Sequence, residues 1–298
     1  MKFWKLSILA LLSGASLGVV AQEPAVSPTL SRIAEQHTLY LGYRENAEPF
    51  TYADGKGGVQ GYQWELCQQV VQAIKARIPG QEIQVVPVLS GANTRALMLA
   101  SGMMDLDCGP VPNTLIAQKQ LAFSVTTYVS SMQVLVRRDA QVAQLADLNG
   151  KAVVSLAGSA GERFLKTANG LKGASLQYLS SRSPQDGFAL LQAGKAQALV
   201  VSDVTAAMLL AQAQNRDDYQ VLAEALAFEP LAMTMRKDDP ALKKLVDETL
   251  TGLMRSGEAG RIYERWFQSP MPPAGPNLQL PMGDLLRGLL QNPNDQGV

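Results

Sequence analysis

Short β-rich runs alternate with helical stretches along nearly the whole chain, and that alternation admits an α/β architecture and little else. Residues 39–42 read as a strand, and 65–78 as an amphipathic helix stopped by Pro79 and Gly80. Residues 83–88 form the next strand, 94–100 a helix closed by Gly102, and 104–108 a short apolar strand. This strand, helix, strand order makes one βαβ lobe. The order then recurs, with strands at 132–136 and 152–156, a glycine-rich turn, a helix from Glu162, a strand at 176–179, a helix at 184–192 and an apolar strand at 198–201. A second lobe of the same kind follows from it. Beyond lie a strand at 231–236, a strongly amphipathic helix at 240–255, another at 258–267, a proline-rich surface linker at 270–276 and a short helix at 282–291, with a disordered end expected after it.

At the other end, Lys2 and Lys5 precede an apolar run over 6–20, and Val19 and Ala21 supply the small side chains a signal peptidase accepts. The run is shorter than the roughly 20 residues needed to cross a bilayer, so 1–21 read as a signal peptide cleaved after Ala21. No cysteine lies near that site to carry a lipid anchor, and no later run is apolar for long enough to stop transfer. An exported, periplasmic protein that does not itself span the membrane is expected. About 277 residues remain after cleavage, more than a single core usually serves, which argues for two domains.

With 26 basic and 26 acidic residues and no basic cluster, the chain lacks the footprint of a nucleic-acid-binding protein. His37 is the only histidine and no Cys/His metal spacing occurs, so neither a metal nor a cofactor is expected. Cys67 and Cys108 are the two cysteines. Export places them where a disulfide can form; two buried, unpaired thiols are the alternative.

Several ordered segments resemble one family: 42–52 (GYRENAEPFTY), 61–66, 105–109 (DLDCG), 118–124 (QKQLAFS), 147–154 (DLNGKAVV), 235–240 (MRKDDP) and 256–273. They are similar to the periplasmic solute-binding proteins, family 3, that serve polar amino-acid ABC transporters, and within it to the glutamate/aspartate branch. The resemblance implies a two-lobed type II periplasmic-binding-protein fold joined by two hinge strands. Lobe 1 would comprise 28–127 plus 231–298, and the inserted lobe 2 would comprise 128–230, with crossings near 125–132 and 225–233. It further implies a monomer that captures a small polar or anionic ligand and delivers it to an inner-membrane ABC permease.

By the same resemblance, Arg44 and Arg95 hold the ligand's side-chain carboxylate, a role suited to a guanidinium fork that stays charged when desolvated. A structural ion pair is the other use for each. Ser90 supplies a nearby hydroxyl, and Ser159, in the Gly158–Gly161 turn before a helix, matches the ligand loop of the second lobe. An ordinary helix cap accounts equally for Ser159. Phe50 offers apolar surface toward the ligand, whereas Tyr62 and Trp64 read as core or surface.

Departures from the family pattern are as informative. After DLDCG the family supplies two hydroxyls for the amino group and an Arg for the α-carboxylate; here those positions hold Pro110, Pro112 and Ala117. The ammonium-binding Asp lands on Ser202, with Asp203 one residue later. A zwitterion stripped of its partners loses several kcal/mol per charge, so a carboxylate other than an ordinary amino acid is the expectation beside glutamate and aspartate. Two further functions fit the fold: a ligand-reporting module for a membrane sensor, and a dehydratase or lyase using cleft carboxylates. A binding protein rather than an enzyme is expected, since G-x-S-x-G is absent and Glu45, Glu48 and Glu65 read as solvated or helix-start residues.

Overall fold

Ser27 and Pro28 open the first helix: the Ser27 hydroxyl accepts from the Leu30 N–H, and Pro28 occupies a position where no N–H is needed. The computed structural model describes residues 26–80, 82–166 and 175–298; the expected signal peptide lies outside the described residues. Helix α1 (Pro28–Gln36), absent from the sequence reading, leads into β1 (Thr38–Tyr43) and three short strands, β2 (Asn46–Ala47), β3 (Thr51–Ala53) and β4 (Val59–Gln60), which form a small antiparallel sheet.

Helix α2 (Tyr62–Arg77) begins three residues earlier than its apolar pattern suggested. No side chain caps it. Instead the Tyr62 N–H donates to Pro49 O (2.7 Å), and the Gln63 and Trp64 N–H groups donate to Phe50 O (3.0 and 3.2 Å), satisfying donors that a helix start leaves free. The approach requires Gly61, whose φ is +135° and where a Cβ would stand 2.2 Å from Phe50 O.

Next come β5 (Gln84–Leu89), α3 (Arg95–Ser101), β6 (Leu106–Pro112), β7 (Leu121–Phe123) and β8 (Tyr128–Arg137). After them follow β9 (Ala152–Leu156), α4 (Ala160–Lys166), β10 (Gln177–Ser181), α5 (Pro184–Gln192), β11 (Ala198–Ser202), α6 (Asp203–Gln212), β12 (Tyr219–Val221) and β13 (Ala227–Arg236). The chain finishes with α7 (Pro240–Arg255), α8 (Glu258–Tyr263), a π-helical turn over Glu264–Gln268, and α9 (Asp284–Gln291).

Among the described residues, the main sheet has ten strands in the order β10-β9-β11-β8-β13-β6-β1-β5, with β12 on β8 and β7 on β13. On one half β1, β5 and β6 run parallel; on the other β9, β10 and β11 do. The antiparallel strands β8 and β13 join the halves. Their first halves pair with each other, Ala227 opposite Met132 through Leu231 opposite Tyr128. They then part, β8 to β11 and β13 to β6. Both strands start four residues before the apolar stretches that marked them.

The α/β, two-lobed architecture follows from how apolar residues distribute. One core gathers Leu41, Val70, Leu106, Met235, Leu250 and Phe267; separate cores gather Leu135, Leu199 and Leu209, and Val134, Val153 and Val200. Helix α6 is apolar apart from Asp203, Thr205 and Gln212, and it buries residues toward both halves. Val204 and Ala207 enter the first core, while Ala206, Leu209 and Leu210 enter the second.

Three further features depart from the sequence reading. Strand β6 continues through Pro110 and Pro112. The Asn113 N–H donates to Pro230 O (2.8 Å), so by strand alternation 111 and 113 turn their amides to β13, while 110 and 112 turn theirs toward the edge β1 covers only opposite Leu106 and Asp107. Proline loses no ladder bond there. The 270–276 segment is anchored by buried Met271 and by Tyr52 Oη donating to Pro272 O (3.1 Å). Residues after α9 are ordered by pairing: the Val298 N–H donates to Asn113 O, the Leu115 N–H to Val298 O and the Thr126 N–H to Asn294 O.

Candidate functional site

In open α/β sheets, ligands bind beyond the carboxyl ends of parallel strands. Register places Tyr43 beside Leu89 and Gly42 beside Asp107, so Arg44, Ser90 and the 107–109 stretch emerge on one edge of the first half. Asp107 is wholly buried and gathers three donors: Ser90 Oγ (2.6 Å) and Arg95 Nε (2.9 Å) on one oxygen, the Gly109 N–H (2.9 Å) on the other. A buried carboxylate persists only with such partners. Sequence reasoning passed over Asp107 inside the DLDCG match, although an acidic residue within an apolar strand is itself a signal that a buried cation faces it.

Arg95, 6% exposed at the start of α3, spends Nε on Asp107 and leaves buried Nη2 without an acceptor among the described residues. Arg44 lies over Gly109, where a Cβ would come within 3.5 Å of its Cγ, and its buried Nε has no acceptor either. Burial, and next the positive charge of Arg95, hold the Arg44 guanidinium below its ordinary value, partly offset by Asp107. Two guanidiniums thus face a single carboxylate. This edge carries a surplus of one positive charge and of hydrogen-bond donors.

On the other half, β9 and β11 end at the Gly158 turn and at Ser202. Ser159 accepts from the Glu162 N–H (3.1 Å) and lies 3.2 Å from Ser155 Oγ, the geometry of a helix cap. Glu162 fills the turn: it accepts from the Gly158 N–H (2.6 Å), Tyr178 Oη (2.8 Å) and Lys166 Nζ (2.8 Å). Lys166 foremost, then the Gly158 N–H, draw its carboxyl down to about 2. Ser202 caps α6, accepting from the Thr205 N–H (3.2 Å).

Asp203 is buried against the joining strands, accepting from Tyr128 Oη (3.0 Å), Ser130 Oγ (3.3 Å) and the Val204 N–H (2.9 Å); burial pushes its carboxyl up. Phe50 is 7% exposed and packs edge-on against Tyr128, Phe267 and Tyr62, with centroids 5.0 to 6.4 Å apart. It belongs to an aromatic cluster rather than to the open edge. Of the residues singled out from sequence, Arg44, Ser90 and Arg95 converge, Ser159 and Ser202 act as caps, and Asp203 and Phe50 are enclosed where the halves meet. Cys67 and Cys108 form a disulfide, Cα–Cα 5.9 Å, which ties α2 to the strand carrying Asp107.

The profile of the bacterial extracellular solute-binding proteins, family 3, matches residues 39–269. The chain belongs to this family. The solute-binding protein is 31% identical over its full length to the glutamate/aspartate import solute-binding protein of Salmonella typhimurium, itself covered completely. It is 34% identical to the L-glutamate/L-aspartate-binding protein of Pseudomonas aeruginosa, with 97% of each chain covered. Among solved structures, an ancestral amino-acid-binding protein described as a precursor of cyclohexadienyl dehydratase superposes with a TM-score of 0.61 at 22% identity, covering 81% of this chain and 99% of that one. That last likeness concerns the fold alone. Among the described residues no helix is long and apolar enough to cross a membrane, and no group of three His, Cys, Asp or Glu could hold a metal ion.

Proposed function

We propose that this solute-binding protein captures a small carboxylate-bearing solute between two lobes, 28–127 with 231–298 and 128–230, and delivers it to the permease of an ABC importer. Arg44 and Arg95 hold the carboxylate, with Ser90 and Asp107 fixing Arg95 from behind. The observation that carries this reading is the pair of buried guanidinium nitrogens without protein acceptors, beside only one carboxylate. Buried donors of this kind are costly unless something accepts from them. An anion of one charge balances both accounts. Strands β8 and β13 serve as the hinge.

Binding without turnover is favoured by the relatives' names and by Asp107 and Glu162, each already committed to three donors. Relatives' names make L-glutamate and L-aspartate the first solutes to try. Isothermal titration of the ligand-stripped protein with these, other polar amino acids and short carboxylates should reveal one micromolar-or-tighter solute. Arg44→Gln and Arg95→Gln should each weaken it at least about 30-fold, equivalent to about 2 kcal/mol. Undiminished binding by both variants would remove the arginines from the site.

A further inference from the structure

We infer that the solute held by Arg44 and Arg95 carries a carboxylate and no ammonium group, a class that leaves out the free α-amino acids. The inference rests on the reading of Arg44 and Arg95 as the anion clamp, and concerns what the rest of the site lacks. An ammonium taken out of water needs an acceptor, best a carboxylate, and suffers beside like charge.

Every carboxylate buried along the facing strand ends already has its donors. Asp107 is occupied by Ser90, Arg95 and the Gly109 N–H. Asp203 is turned into the junction by Tyr128, Ser130 and the Val204 N–H, and Glu162 closes on its own turn through Gly158, Tyr178 and Lys166. At the end of β11 stands Ser202, whose oxygen caps α6 and lies 2.9 Å from Thr205 Oγ1. Glu45 and Glu48, after β1, are exposed. The unmatched charged groups are both donors, Arg44 Nε and Arg95 Nη2, in addition to the hydroxyls of Thr29, Thr126 and Thr234, and a second positive charge would meet the surplus the arginines already make. On the uncovered edge of β6, Pro110 and Pro112 provide no N–H to hold a second carboxylate. One half-buried carboxylate on the joining strands, Glu229, remains as a rival acceptor.

Solute pairs differing only in the amino group test this: pentanoate against L-2-aminopentanoate, glutarate against L-glutamate, and succinate against L-aspartate, titrated calorimetrically into the ligand-stripped protein. The amino-free member should bind tighter by about 100-fold in any pair that binds, and Arg44→Gln should abolish it. Ser202→Asp keeps a good helix cap and supplies the missing carboxylate, so it should narrow or reverse the preference. If the amino member binds as well or better, the inference is overturned; should Glu229→Gln remove that binding, Glu229 is the ammonium acceptor. In that event sensitivity to Arg44→Gln would leave the anion clamp standing. No binding by any member would overturn both.

Discussion

At the scale of single residues, serine recurs with two different duties. Ser90 and Ser130 donate to buried aspartates, whereas Ser159 and Ser202 accept from helix amides. The difference was legible in part. Ser159 stands three residues before Glu162, the spacing of a capping box, and Glu162 does reach back to the turn, to the Gly158 N–H. Arg44 and Arg95 were singled out through the family resemblance; Asp107 was not, because its partners are brought to it only by the pairing of β1 with β5 and β6. Glu162 also sets a pH dependence. Its folded value of about 2 lies below an ordinary 4.5, so it stabilises the fold above the unfolded value, and that contribution is lost as pH falls from about 4.5 through about 2. A carbon-13 titration of its carboxyl should show a midpoint near 2. A midpoint near 4.5 would mean that the turn does not hold the carboxylate.

At the scale of elements, helix α2 governs strand β6. Gln63 Nε2 donates to Gly109 O (2.7 Å) and Gln63 Oε1 accepts from Thr127 Oγ1 (3.3 Å), while Cys67, one turn further on, is bonded to Cys108. Two adjacent turns of one helix thus grip the two residues that follow Asp107 in the strand. The disulfide closes a loop of sequence separation 41, worth about 4 kcal/mol in the chain-entropy picture. Cys67→Ala with Cys108→Ala should lower urea stability by about 2–4 kcal/mol and weaken solute binding more than a Leu199→Ala control does. Equal affinity after the double change would show that Gln63 alone sets the strand. Element type was readable from periodicity, but boundaries were not. Helix α2 starts early because backbone carbonyls at 49 and 50 cap it, and β6 outlasts its apolar run because prolines lie harmlessly on its uncovered edge. Helix α1, absent from the sequence reading, has a distant anchor: Asp239 accepts from Ser27 Oγ and the Thr29 N–H while also capping α7.

At the scale of the whole molecule, alternating strands and helices foretold two lobes, and the length agreed. What sequence could not show is how much the lobes share. Helix α6 stands in both cores, and residues 292–298 run back to pair with 113–115 and to hold Thr126, just before β8. Deleting 292–298 should therefore expose the Leu115 and Thr126 amides to rapid hydrogen exchange, while Val134 and Val200 amides in the other half stay protected. Unchanged protection at Leu115 would show that the segment only covers the surface.

Strands β8 and β13 meet over five residue pairs before diverging. Each strand is hydrogen-bonded to its neighbour from one outer edge of the sheet to the other, with a register shift between Ala232 and Thr234 where β13 meets β6. If the halves move relative to one another as the proposed capture of a solute requires, the paired strands leave no free single-residue pivot between them. Such movement would then be shared as torsion along two ten-residue ribbons, so that the backbone itself would set the stiffness a captured solute works against.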